Sequence, residues 1–251
     1  MPIPITDYDA DPTAVIAPNR GEGFALPAKM LAAFVSDDNF AAFLATRPHR
    51  QVGEYLTIAK HYRVYALAVG DQTIGLCQMP LGAPAAVQLL DFLLGYGARV
   101  VVAIGSCGVL VDAPENQLMV VTQALRDEGT SYHYLPPAAS IALDPALAAH
   151  LLRVLGPRGK AVGTWTNDAY YRETPGKIAK AKAQGFEVVE MECAAMAACA
   201  AFRGARFGQI LFTADSLAAI DAYDNRGFGV ASQLPTLAIG VAALQQWPAD
   251  A

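Results

Sequence analysis

The run RVVVAI at residues 99 to 104 constrains the fold more than any other segment, because five consecutive apolar residues leave no polar position to face water. A strand of that kind requires a sheet covered on both faces. Other short apolar runs predict further strands: TAVIAP at 13 to 18, YRVYALAV at 62 to 69, TIGLCQM at 73 to 79, LMVVTQA at 118 to 124, a strand near Ala161, and RFGQILFTAD at 206 to 215. Between them, Ala/Leu-rich periodic segments predict helices from about Pro84 to Gly95, Pro145 to Leu155 and Pro235 to Trp247. This alternation predicts an α/β fold, a three-layer α/β/α sandwich whose central sheet is mixed and largely parallel. A length of 251 residues suits one large domain, so residues 1–251 are expected to form a single unit.

Composition narrows the function classes. Hydrophobic residues make up 54% of the chain and charged ones 16%, which implies apolar surface beyond one core and hence a homo-oligomer, from dimer to hexamer. A net charge of -5 without a Lys/Arg cluster argues against nucleic-acid and anionic-membrane partners, which need a basic footprint. Small molecules fit better. Cys77, Cys107, Cys193 and Cys199 lie in apolar or Gly-rich contexts without CxxC spacing, so buried reduced thiols are expected and no metal site. The start, MPIPITDYDADP, lacks a basic segment followed by an apolar run, and no charge-free stretch of about 18 apolar residues suggests a membrane span. The cytoplasm is the expected compartment.

In α/β sheets ligands gather beyond the carboxyl ends of strands. Directly after RVVVAI come Gly105, Ser106, Cys107 and Gly108, read as a turn whose glycines let backbone N–H groups approach an anion while Ser106 adds a hydroxyl. Gly82 in LGAP opens the helix at Pro84 and permits close backbone approach, or serves as a plain cap. TWTNDAYYRE at 164 to 173 puts two tyrosines and a tryptophan among polar groups, which suits stacking on a flat heterocycle as well as covering a core. Asp215 ends the strand FGQILF, where burial would lift its pKa from about 3.9 towards neutrality and suit it to proton exchange, although Asp is also a common helix cap. RDEGTSYHY at 126 to 134 reads as a site wall or a subunit contact.

VVEMECAAMAACAAF at 188 to 202 carries Glu190 and Glu192 either side of Met191, where a strand runs into a buried helix. Carboxylates so close to a core are costly unless paired or employed, although acidic residues also favour a helix N-terminus by about 0.3–1 kcal/mol.

In this order, LGAP, GSCG, TNDAYY, EME and TADS resemble the nucleoside phosphorylase family of purine nucleoside phosphorylases, uridine phosphorylases and methylthioadenosine nucleosidases, from about Gly75 to Leu217. GSCG and EME, with an Asp about two dozen residues further on, look closest to the hexameric type of purine nucleoside phosphorylase. The resemblance implies cleavage of a nucleoside by phosphate, with no cofactor beyond that co-substrate. Glu192 would hold ribose hydroxyls, Met191 would pack on the sugar and Tyr170 would stack on the base, with Gly82, Cys107 and Gly108 also against the substrate. Ser106 and Gly105 would bind phosphate. Asp215 would give a proton or hydrogen bond to N7 of a leaving purine. Glu190 is left a supporting role. The Gln and Arg pair that uridine phosphorylases carry after the aromatic residues is missing from YYRETPGKIAK, which favours a purine.

The pattern breaks on the phosphate side. Ala103 stands where the family carries an Arg two residues before the turn glycine, and Pro18-Asn19-Arg20-Gly21 stands where a Gly, an Asp and an Arg follow its first strand. Arg20 is the candidate substitute, since a guanidinium offers a bidentate fork, and Arg126 a second. The His and Arg usually lent by a neighbouring subunit are not recognisable. A nucleosidase using water, a uridine or pyrimidine phosphorylase and a non-catalytic nucleoside binder are the alternatives.

Overall fold

The computed structural model describes residues 3–248. Ten strands and six helices follow one another: β1 (Lys29–Ala33), α1 (Asp37–Ala45), β2 (His49–Leu56), β3 (His61–Val69), β4 (Gln72–Gln78), α2 (Ala83–Gly95), β5 (Val100–Val109), β6 (Leu118–Asp127), β7 (Ser140–Ala142), α3 (Pro145–Leu155), β8 (Gly159–Asn167), α4 (Pro175–Ala183), β9 (Val188–Glu190), α5 (Cys193–Phe202), β10 (Arg206–Ser216) and α6 (Val230–Gln246). Local chemistry sets the helix starts. Pro occupies the first turn of α2, α3 and α4, and the side chains of Ser36, Asp144 and Thr174 cap α1, α3 and α4 by accepting from backbone N–H groups.

All ten strands join one mixed sheet, ordered β10-β6-β8-β9-β5-β1-β4-β3-β2, with β7 on β6. Because β10 also pairs with β5, the strands β10, β6, β8, β9 and β5 close into a ring from which the rest extends. Five pairings are parallel and five antiparallel, so the sheet is evenly mixed rather than largely parallel. Successive β5 residues alternate between two apolar clusters: Val101 and Ala103 pack with α2 and α5, while Val100, Val102 and Ile104 pack with α1, α3 and α6. Helices therefore cover both faces of β5, as its unbroken apolar run requires. A smaller cluster joins Trp165, Ile178 and Phe186 beneath α4. Among the described residues no helix is long and apolar enough to cross a membrane.

Three expectations need correction. Thr13–Pro18 forms no strand: Val15 and Ile16 are exposed, and the first strand is β1, some dozen residues later. GSCG is not a turn, because β5 continues through it, pairing with β10 from Gly105 to Cys107 and again at Val109, and with β9 at Gly108 and Val109. Its first glycine is required by space, since a Cβ at Gly105 would lie 3.1 Å from that of Phe34. Helix α6 begins at Val230, with Pro235 inside it, rather than at Pro235.

Candidate active site

A cavity of about 520 Å³ opens where the ring meets the rest of the sheet. Eight of the residues singled out by number line it: Ser106, Cys107, Gly108, Tyr170, Glu190, Met191, Glu192 and Asp215. Segments far apart in sequence meet there because β5 lies between β1, β9 and β10.

Asp215 owes its position to an irregularity in β10. The register between β10 and β5 passes from Thr213↔Cys107 to Ser216↔Val109, so Ala214 and Asp215 together face Gly108. Such a bulge re-aims a side chain. Gly108 leaves room for it, since a Cβ there would come within 3.3 Å of Asp215 Oδ1 and 2.8 Å of Leu217. Burial raises the Asp215 pKa, against the lowering effects of the nearby Tyr223 hydroxyl and the Arg226 charge. Asp215 is thus poised to hold or share a proton with a ligand.

The carboxylates around Met191 divide their tasks. Glu190 accepts from the Thr166 hydroxyl at 2.6 Å, the Thr164 hydroxyl at 3.2 Å and the backbone N–H groups of Glu192 and Cys193 at 2.8 and 2.6 Å. It therefore ties β8 to the start of α5. Glu192 accepts from the Gly82 N–H, on the residue that caps α2 with φ +91, a conformation natural only to glycine. Burial, then the charge of Glu190, pushes Glu192 up to about 8. Burial likewise raises Glu190 against its four donors.

Beyond these, Tyr170 and Tyr171 meet edge to face with centroids 5.1 Å apart on a short 3-10 turn after β8. The Tyr170 and Tyr223 hydroxyls lie 3.1 Å apart. Tyr223 sits in the loop between β10 and α6, which is pinned by backbone bonds between Ser216 and Asp224 and by Glu115, whose carboxylate accepts from the N–H groups of Gly227 and Gly229. That loop also supplies Phe228 to the cavity wall, and outside the lining it carries Arg226, whose Nη1 is buried without a hydrogen-bond partner among the described residues. Cys107 is buried, its thiol donating towards the Phe212 carbonyl, and burial pushes its pKa up.

Not every expected residue reaches the cavity. Gly82 stands behind Glu192, its N–H committed to that carboxylate, and Gly105 is covered by Phe34. Arg20 lines a separate cavity of about 460 Å³ with Pro18, Tyr55, Asp91 and Tyr134, so within this chain it is not brought to Ser106. Arg126 is buried and spent on its own loop, donating to Ser131 Oγ and to the Leu135 and Pro136 carbonyls, which makes RDEGTSYHY a self-braced turn. Among the described residues neither Arg, Lys nor His lines the 520 Å³ cavity. Sequence reasoning missed Phe34, Glu173, Tyr223, Arg226 and Phe228. Phe34 was hidden by misplacing the first strand, and residues 217 to 229 carry no periodic pattern to read.

The chain matches the family model of the phosphorylase superfamily over residues 31–232. It is 23% identical over 155 residues to a guanosine phosphorylase of Halorubrum lacusprofundi, covering 60% of this chain and 64% of that protein. To a DeoD-type purine nucleoside phosphorylase of Myxococcus xanthus it is 29% identical over 144 residues, covering 55% and 60%. The chain thus spans less than two thirds of the length of these curated relatives. A uridine phosphorylase from Vibrio fischeri superposes with a TM-score of 0.74 at 21% identity, covering 92% of this chain and 93% of that one. A purine nucleoside phosphorylase from Toxoplasma gondii, solved with immucillin-H, superposes with a TM-score of 0.72 at 18% identity, covering 88% and 93%. These likenesses establish a shared mixed α/β fold.

Proposed function

The chain belongs to the phosphorylase superfamily, and from that premise we propose that it cleaves the N-glycosidic bond of a purine nucleoside with phosphate, giving free base and ribose 1-phosphate. The observation that carries this reading is the meeting of Asp215 and Glu192 in one cavity beside Tyr170 and Met191. As the C–N bond lengthens, the base takes up negative charge and the ribose positive charge. Asp215, its pKa raised by burial, delivers a proton or hydrogen bond to N7 of the base. Glu192 accepts from the ribose hydroxyls, and its charge stabilises the oxocarbenium-like sugar. Ser106, exposed on β5, is the hydroxyl available to the attacking anion.

The three-layer arrangement expected from the sequence enters here as a single domain, supported by the two apolar clusters either side of β5. No metal or organic cofactor has a part in the reaction. Four free buried cysteines suit the cytoplasm. Phosphorolysis needs a cation, and among the described residues none lines the cavity, so the reading includes a homo-oligomer in which a neighbouring copy supplies it. That same lack favours a second reading, hydrolysis by water, because a phosphate dianion among Glu173, Glu190, Glu192 and Asp215 meets like charge.

One assay tests both. Guanosine, inosine, adenosine and uridine are incubated with and without phosphate and the sugar product is identified. Ribose 1-phosphate formed only with phosphate supports the first reading, and free ribose in phosphate-free buffer the second. Cleavage of uridine in preference to every purine nucleoside overturns the base assignment. Asp215→Asn is expected to lower purine nucleoside turnover roughly 10²–10⁴-fold, the usual worth of a positioned acid; unchanged turnover removes its role.

A further inference from the structure

Burial alone does not make Asp215 a directed acid. A carboxyl has two oxygens and one proton, and the proton has a fixed side only where a donor occupies the other oxygen. Tyr223 is placed to be that donor. The loop after β10 doubles back so that Asp224 and Ser216 exchange backbone hydrogen bonds at 2.8 and 3.2 Å, which returns Tyr223 to the strand end that carries Asp215. The Tyr223 hydroxyl lies near the Asp215 carboxyl and 3.1 Å from the Tyr170 hydroxyl. Each tyrosine has a single O–H and a carboxylate only accepts, so the three groups have one consistent direction: Tyr170 donates to Tyr223, and Tyr223 to Asp215. The other groups facing Asp215 are poor substitutes. Glu173, which follows the 3-10 turn, and Glu190 and Glu192 beyond β9 are acidic. The Cys107 thiol of β5 is kept neutral by burial and donates towards the Phe212 carbonyl. Arg226, from the same loop as Tyr223, acts on Asp215 through its charge.

We propose that Tyr223 is the positioning residue of the Asp215 acid: by donating to one carboxyl oxygen it leaves the transferable proton on the other, the one that faces N7 of the base. The assignment rests on the purine reading above. On transfer the Asp215 O–H bond breaks as the N7–H bond forms, the electron pair of the C–N bond passes to the base, and a proton from the attacking phosphate or water restores the acid. Asp215 is a carboxylate at the end of that step, and a hydrogen bond to an ionised acceptor is about twice as strong as one to a neutral acceptor. The Tyr223 bond therefore strengthens as the proton leaves, which is the condition for an interaction to speed the step rather than merely hold the substrate. The same donor favours the ionised carboxyl and so opposes the upward pull of burial.

Tyr223→Phe keeps the ring and removes only the hydroxyl. Two readouts test it: the pH dependence of kcat/KM for inosine and guanosine, and the titration of the Asp215 carboxyl in the ligand-free protein by infrared difference spectroscopy, its band identified by loss in Asp215→Asn. The acid form is the active one, so the limb of kcat/KM that falls with rising pH belongs to Asp215. Losing a donor to the carboxylate raises its pKa, so in Tyr223→Phe both the limb and the band are expected to move to higher pH. The rate below the limb is expected to drop roughly tenfold, the worth of one hydrogen bond to a charged group. With Asp215→Asn already in place, Tyr223→Phe is expected to cost little more. A hydroxyl that serves only the fold would lower the rate with limb and band unmoved, which overturns the proposal, as does a full tenfold loss on top of Asp215→Asn. If the band moves while no nucleoside is cleaved, cleavage fails and the bond from Tyr223 to Asp215 stands. If purine nucleosides are cleaved and neither limb nor band moves, the reverse holds.

Discussion

Glu190 and Glu192 are two residues apart, yet their surroundings give them opposite tasks. Four donors converge on Glu190, whereas Glu192 has the Gly82 N–H and a side chain turned to the cavity. The acidic pair therefore shares a proton near neutrality, and Glu192, pushed up to about 8, is where it resides. A ribose bound there brings hydroxyl donors and, in the reaction, positive charge, both of which favour the ionised carboxylate. Binding a nucleoside near pH 7 is accordingly expected to release a proton. Calorimetric titration in buffers of different ionisation enthalpy reads that release as a buffer-dependent heat. Glu192→Gln is expected to abolish the dependence, and a heat that is independent of buffer in the unaltered protein would count against Glu192 as the ribose carboxylate.

At the scale of elements, the loop from 217 to 229 borders the site, since Phe228 lines the cavity and the Tyr223 hydroxyl meets that of Tyr170 on its wall. Phe228 and Arg226 hold positive φ of 54° and 46°, unusual for residues with side chains, and Glu115 compensates by accepting from the two neighbouring glycine N–H groups. Glu115→Ala removes both bonds at a site remote from substrate. It is expected to raise KM several-fold more than it lowers kcat, roughly the worth of one or two hydrogen bonds, and to speed proteolysis between 217 and 229. A proteolysis rate equal to that of the unaltered protein would show that the loop is held by other means. This loop also marks the limit of what the sequence discloses. Helices α2 and α3 were legible because proline starts and apolar period agree, and β3, β4 and β10 because their apolar runs are long. The GSCG segment misled because glycine serves two needs that read alike: backbone freedom in a turn, and space beside Phe34 and Asp215 within a strand. Strand β1 has five residues and α1 nine, and the more apolar-looking TAVIAP upstream drew the reading away from both. Glu190, Glu192, Asp215 and Tyr170 were legible as chemistry at strand ends, whereas a bulge that aims Asp215 leaves no trace in residue spacing.

For the molecule as a whole, two properties follow from where charge and apolar surface lie. Val15, Ile16, Leu56 and Ile58 are large apolar side chains in solvent, and Ile16 and Leu56 line the Arg20 cavity together, which leaves apolar surface suited to association there. An oligomer is expected by sedimentation, with Leu56→Asp and Ile58→Asp together shifting it towards monomer. A monomeric unaltered protein would remove the neighbouring copy as the source of the missing cation. The second property concerns stability. Glu173, Glu190, Glu192 and Asp215 all have pKa values raised by burial, Glu173 to about 7 and Glu192 to about 8. A raised pKa means that the folded chain holds a proton the unfolded chain has lost, and stability falls with pH wherever the folded state binds more protons. For Glu192 that interval runs from its ordinary value of 4.5 up to about 8, with the favourable contribution complete below the interval and lost above it. Asp37, held below its usual range by Gln78 and Lys60, acts in the opposite sense but lies in solvent, where such pairs count for little. The urea midpoint is therefore expected to fall between pH 5 and pH 8 and to level off above. Glu192→Gln carries no titratable proton, so its midpoint is expected to gain on that of the unaltered protein across the same interval and to keep the gain at higher pH. Midpoints that run parallel from pH 5 to pH 8 would mean that Glu192 is ionised in the empty cavity and that the proton resides elsewhere in the cluster.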